Sequence, residues 1–229
     1  SSGGSLNGYN VTYRSYDNTF VGYAAGISAA SYTTSYLRNN VLIGDYAGYR
    51  LSARLYGSAE GNIAIGTASM GAISTLTSVE GDFNIAIGRN VFNKLDEADY
   101  NIGIGDSAGY NTESSSYEIY LGTKAGFSNI SGSQNIFIGF NSGYTNSTGD
   151  SNLYIGYKAG ELSTGRGNVF LGNKAGQNET GNNKLYIANS STSSPLIYGD
   201  FSTNVVTIND ALKITPQSSP PSSPSLGFL

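Results

Sequence analysis

Three carboxylates stand close together in "LDEAD", at Asp96, Glu97 and Asp99. A carboxylate pair can cut a glycosidic bond, one group as acid and one as base or nucleophile. The same trio could hold a calcium ion, but calcium repeats carry Asp at regular intervals and none recur here. Carboxylates in a polar connector are most often simply solvated. "GIGDSAG" at 103–109 and the "KAG" turns at 124–126, 158–160 and 174–176 have the small-residue pattern of phosphate-cradling loops. A nucleotide site should occur once, whereas this pattern returns in nearly every stretch of the chain. The sequence has no His and no Cys, which removes the commonest general base, the commonest zinc ligands and any disulfide. No cofactor is expected, and no catalytic or metal-binding residue.

The elements that carry these residues are copies of one unit. The motif Asn-aliphatic-x-aliphatic-Gly runs as "NTFVG" at 18, "NVLIG" at 40, "NIAIG" at 62 and 84, "NIGIG" at 101, "EIYLG" at 118, "NIFIG" at 135, "NLYIG" at 152 and "NVFLG" at 168, with a degenerate "KLYIA" at 184. The closing glycines fall at 22, 44, 66, 88, 105, 122, 139, 156 and 172, with Ala188 in the last copy. The spacing is 22 residues three times, 17 four times and 16 twice. A fixed period of this kind is the mark of a repeat architecture. Within each unit the first and third positions are nearly all aliphatic, and period two places them on one face of a strand. The second position faces the other way: Phe20, Leu42, Ala64, Ala86 and Gly103, then Tyr120, Phe137, Tyr154, Phe170 and Tyr186. A second Gly recurs at 26, 48, 109, 126, 143, 160 and 176, where positive φ makes a corner; Met70 and Phe92 break that pattern.

The expected fold is all-β: a parallel β-solenoid, a β-roll of left-handed sense, with about ten coils of 16–22 residues stacked ~4.8 Å apart. Asn18, Asn40, Asn62, Asn84, Asn101, Asn135, Asn152 and Asn168 should form an inward ladder that satisfies corner backbone groups, interrupted at Glu118 and Lys184. A coil this short is expected to leave one strand face uncovered. The aromatic row Tyr120, Phe137, Tyr154, Phe170 and Tyr186 is the expected bare face, packed between chains of a homotrimer. Along the chain, residues 1–17 read as a lead-in, 18–100 as long coils, 101–188 as short coils, 189–212 as a capping hairpin and 213–229 as a Pro/Ser-rich linker. The start at Ser1 suggests a processed form or a piece of a longer fibre.

The units "NIAIGxxA" and "NVFLGxKAG" resemble the head repeats of trimeric autotransporter adhesins, and the string at 168–209 resembles bacterial surface proteins and phage tail fibres. The resemblance covers roughly residues 18–209. It implies a trimeric extracellular fibre on a virion or cell surface, displaying a surface for a glycan or protein receptor, and no enzyme. Tailspike-like glycan depolymerisation through the Asp96–Asp99 segment is the alternative. The 18 tyrosines invite sugar stacking. Tyr49, Tyr56, Tyr110 and Tyr144 lie at corners, where outward sugar contact and packing across coils are both open. No Thr ladder suggests ice binding. With 12 basic and 16 acidic residues and no basic run, nucleic acid is not an expected partner. No apolar run approaches a membrane span.

Overall fold

The computed structural model describes residues 14–27, 36–51, 58–71, 81–209 and 211–212. Tyr56, most of the 1–17 lead-in and the 213–229 linker lie outside the described residues. Among those described there is no helix, and fifteen short strands form. In chain order they are β1 (Arg14–Tyr16), β2 (Thr19–Val21), β3 (Tyr36–Arg38), β4 (Val41–Ile43), β5 (Ser58–Glu60), β6 (Ile63–Ile65), β7 (Ile85–Ile87) and β8 (Ile102–Ile104). They continue as β9 (Ile119–Leu121), β10 (Ile136–Ile138), β11 (Leu153–Ile155), β12 (Val169–Leu171), β13 (Lys184–Ile187), β14 (Ile197–Asp200) and β15 (Val205–Ile208).

Twelve strands make one sheet, ordered β15-β14-β13-β12-β11-β10-β9-β8-β7-β6-β4-β2. From β2 to β13 neighbours are parallel, and each motif position pairs with its equivalent one coil away, as Phe137 does with Tyr120 and Tyr154. β14 and β15 add antiparallel. A second, three-stranded parallel sheet, β1-β3-β5, lies in the 22-residue coils just before the motif strand.

Local backbone chemistry explains how so short a coil closes. The residue before each motif adopts left-handed φ between 54° and 68°, from Asp17 through Phe83, Tyr100 and Tyr117 to Asn183. Two more left-handed corners follow the strand, at Lys124 (56°) and Gly126 (61°) in a typical coil. Ahead of these two, directly after the strand, the closing Gly sits at φ 115–140°, open in practice to Gly alone. A Cβ on Gly139 would also lie 2.3 Å from the Gly156 carbonyl oxygen of the next coil. Ala188 escapes that constraint because no parallel coil stacks beyond it: β14 pairs antiparallel with β13.

The core overturns one expectation. Tyr120, Phe137, Tyr154 and Phe170 are fully buried in the single chain, and Tyr186 nearly so. They are the interior of the coil, not a face between chains. Rings stack in file, with centroids 5.4, 4.8 and 4.6 Å apart from Tyr120 to Phe170. The second glycine makes room: a Cβ on Gly126 would meet the Tyr120 ring at 2.6 Å, and one on Gly143 the Phe137 ring at 2.5 Å. One ring per coil fills a coil of 16–17 residues, so it encloses its own core. Where the second position shrinks to Ala64 and Ala86, the corner grows to Met70 and Phe92, both fully buried at φ 49°. In the next coil Gly103 and Gly109 are both small, and the Phe92 ring leans into the gap towards Tyr120 (centroids 6.1 Å). The first and third positions face outward instead, half-buried or exposed.

Candidate interaction surfaces and the buried polar ladder

The Asn side chains form a continuous hydrogen-bond file inside the solenoid. Each Oδ1 accepts the backbone N–H of the equivalent residue one coil on, at 2.8–3.0 Å, from Asn18 to Asn40, Asn62, Asn84 and Asn101, and from Asn135 to Asn152, Asn168 and Lys184. Most Nδ2 groups donate to a carbonyl at the far corner of the next coil, as Asn62 does to Gly81 (2.7 Å) and Asn168 to Gly181 (2.9 Å). Each side chain thus replaces the strand hydrogen bonds lost at a bend.

Glu118 does not interrupt this file, contrary to the sequence expectation. Its N–H donates to Asn101 Oδ1 (2.9 Å) and its Oε2 accepts the Asn135 N–H (3.0 Å). The carboxylate is fully buried, and burial pushes its pKa up to about 8 against the pull of hydrogen bonds from Tyr120 and Asn135. Lys184 likewise continues the file through its N–H, and its Nζ reaches Asp200 Oδ2 (2.6 Å) on β14. A second internal pair was not singled out from sequence: buried Asn129 and Asn146 cap their own turns, accepting the Gly132 and Gly149 N–H groups at 2.9 Å. Their 17-residue spacing was the available signal.

The carboxylates of 96–99 stand in different surroundings. Glu97 is exposed and Asp96 half-buried. Asp99 Oδ1 accepts the Asp82 N–H (2.8 Å), and Asp82 Oδ1 accepts the Glu60 N–H (2.8 Å), so these acids act as corner supports from coil to coil. Burial raises the Asp82 pKa, and its neighbours Asp99 and Glu60 add to the rise. Among the described residues no group of His, Cys, Asp or Glu is arranged to hold a metal ion.

Of the corner tyrosines, Tyr110 and Tyr144 are half-buried and joined in one stack through Phe127, with centroids 5.3 and 5.1 Å apart and planes within 14°. Lys94 and Lys124 lie over the Tyr110 and Phe127 rings at 5.8 Å. Rings stacked this way cover much of each other's faces and offer edges and hydroxyls outward. Tyr49 meets Tyr46 edge-on at 5.5 Å, and Tyr46 meets Tyr23 at 5.5 Å. The more exposed file was missed: Phe83, Tyr100 and Tyr117, at 47%, 49% and 60% exposure, stack at 5.4 and 5.5 Å beside the start of the motif strands. The residue before the motif, repeated every 17 positions, carried that signal.

An all-β architecture with a long, mostly parallel sheet of regular repeats defines a repeat protein of the β-solenoid kind. No family model, curated protein or solved structure matches the chain. Among the described residues no helix is long and apolar enough to cross a membrane.

Proposed function

We propose that this chain is a structural and adhesive module of an extracellular fibre, of the phage tail-fibre or bacterial surface-adhesin type, which works as a homotrimer and displays a surface for a receptor or glycan. The observation that supports this reading is the in-register stack itself. Ten parallel coils at ~4.8 Å rise give a body of about 45 Å along the stack. Each coil adds length while burying its strands against its neighbours, which suits mechanical reach. Corner side chains repeat at the coil spacing, so an aromatic ring edge is presented in three successive coils at Tyr110, Phe127 and Tyr144. Weak contacts repeated in this way add through avidity.

The test is binding of the purified protein to host-type cell surfaces and to arrays of surface polysaccharides. Wild type should bind, and Tyr110→Ala with Tyr144→Ala should weaken binding if the corner file meets the ligand. Absence of any binding by the wild type refutes the adhesive role. Release of oligosaccharides during the incubation would instead favour a glycan-degrading spike.

A further inference from the structure

The outward face of the large sheet is apolar from end to end. Its two rows are the first and third motif positions, and from Thr19 and Val21 to Leu185 and Ile187 every member except Thr19 is Val, Ile or Leu. None carries charge. These side chains are not needed for the interior, which the second row fills. They stand half-exposed, with Val21 at 55% and Ile104 at 41%.

The register of the terminal hairpin preserves this face. Ile187 pairs with Ile197 and Ile197 with Ile208; Leu185 pairs with Gly199 and Gly199 with Val206. Residues directly opposite in paired strands share a face. The third row therefore continues unbroken across the switch from parallel to antiparallel pairing, out to Ile208 at 38% exposure, and the first row resumes at Val206 (65%) after a gap at Gly199, which the Leu185 side chain covers. A hairpin that served only to block the last sheet edge would need no such continuity. Exposed aromatic rings border the rows in several coils, Phe83, Tyr100 and Tyr117 before the strands and Tyr23, Phe140 and Tyr157 after them, while other coils carry Asp45 and the Arg89–Asp106 ion pair at the position after the strand.

We infer that this face, not the aromatic row, is where copies of the chain join; the inference rests on the homotrimer proposed above. Twelve strands at ~4.8 Å make it about 50 Å tall, and three residues per strand make it about 10 Å wide, roughly 500 Å² in all. A contiguous apolar patch of this size is large for a chain that stays single, and such patches commonly mark interaction sites. In a ring of three each copy meets two others, so bordering corner residues complete the ~800 Å² per partner of a standard stable interface. An uncharged surface ridged at the strand spacing fits another copy of itself. The first row of one copy against the third row of the next is a head-to-tail contact, which makes a ring of three when successive copies are turned by about 120°.

The experiment measures solution mass for the wild type and for Ile104→Lys with Ile155→Lys. Wild type should have about three times the 23.9 kDa chain mass, and the double variant the single-chain mass with its β circular dichroism retained. The chain has no Cys, so single thiols give a second reading that needs only one mild substitution. Ile104→Cys should react with a maleimide at least tenfold more slowly than Thr148→Cys on the exposed polar connector. A wild type of single-chain mass overturns the homotrimer proposal, and this inference with it. An assembled wild type whose lysine variant keeps full mass, or whose Ile104→Cys thiol reacts as fast as the control, overturns the choice of face alone. If the lysine variant does not fold, the thiol comparison decides.

Discussion

Replacing Glu118 by Gln should stabilise the protein, and by an amount that grows with pH. Glu118 occupies a ladder position that Asn fills in most coils, and its side chain is fully buried. Gln keeps a carbonyl oxygen to accept the Asn135 N–H that Glu118 Oε2 now accepts at 3.0 Å, and it cannot ionise. In the folded chain the carboxyl holds its proton up to about pH 8, against 4.5 for an ordinary Glu. Below pH 4.5 the group is protonated folded or unfolded, so the substitution changes little. Between 4.5 and 8 the unfolded chain releases the proton and the folded chain keeps it, so wild-type stability falls as pH rises. Above pH 8 the folded chain must bury the anion and the loss levels off.

At pH 7 the difference of about 2.5 pH units, at about 1.4 kcal/mol each, corresponds to a variant more stable by about 3 kcal/mol; above pH 8 the gain reaches about 5 kcal/mol. Urea unfolding from pH 4 to 9, at one protein concentration, measures it. With 18 Tyr and no Trp, tyrosine emission and far-ultraviolet circular dichroism are the probes. Hydrogen exchange of the β8–β10 amides reads the same effect locally, since each coil's stability depends chiefly on its neighbours. A stability difference between Gln and Glu that stays constant across that pH range would refute the reasoning.

Gly139→Ala should lose at least about 3 kcal/mol, from forbidden φ and backbone overlap together, whereas Ala188→Gly should lose less than about 1 kcal/mol; matched urea titrations check the contrast. Phe92→Gly should lose about 3–5 kcal/mol, because the neighbouring Ala86 and Gly103 cannot fill the space, and adding Ala86→Phe should restore much of it. The same titrations decide; no recovery in the double variant would refute the idea that the corner and second-position side chains share one volume. Lys184 holds the Asp200 pKa down to about 2, so the cap should be supported above pH 3.8 and lose that support as pH falls towards 2. Hydrogen-exchange protection in β14 and β15, corrected for the intrinsic pH dependence of amide exchange, should therefore fall in acid, and Asp200→Asn should abolish that change.

The period and the strand positions were legible in the sequence because repetition averages out local noise: ten copies vote on where the Asn, the aliphatic pair and the Gly fall. The direction in which each face points was not legible. Alternation separates Tyr120 from Ile119 and Leu121 but does not say which side is inside. Deciding that needs the corners, and the corners depend on left-handed φ at residues such as Lys124 and Gln134. Neither residue type announces such a conformation, as Gly or Asn would. The exchange of volume between Ala86 and Phe92 was visible only as two separate breaks in pattern. It becomes one fact when both side chains are seen to enter the same space. Glu118 was misread because the ladder was credited to the amide, whereas the bond that propagates it needs only an acceptor oxygen and a backbone N–H.

That the coil closes upon itself changes what the outer rows mean. A chain whose interior depended on its partners would keep aliphatic residues there merely to fold. Here Tyr120, Phe137, Tyr154 and Phe170 already fill the interior. Folding alone would permit Thr, Ser or Lys at the outward positions, since half-exposed strand sites take polar residues readily. Aliphatic residues nonetheless persist in both rows through coils of 22, 17 and 16 residues with Thr19 the one exception, and in the third row through a hairpin of opposite strand direction as well. Changes in coil length and chain direction altered the corners and left the rows intact. Under the assembly proposed above, the constraint acting on them is common to every rung and lies outside the single chain's own core. A sheet face mated along its whole height to identical copies imposes a constraint of that kind.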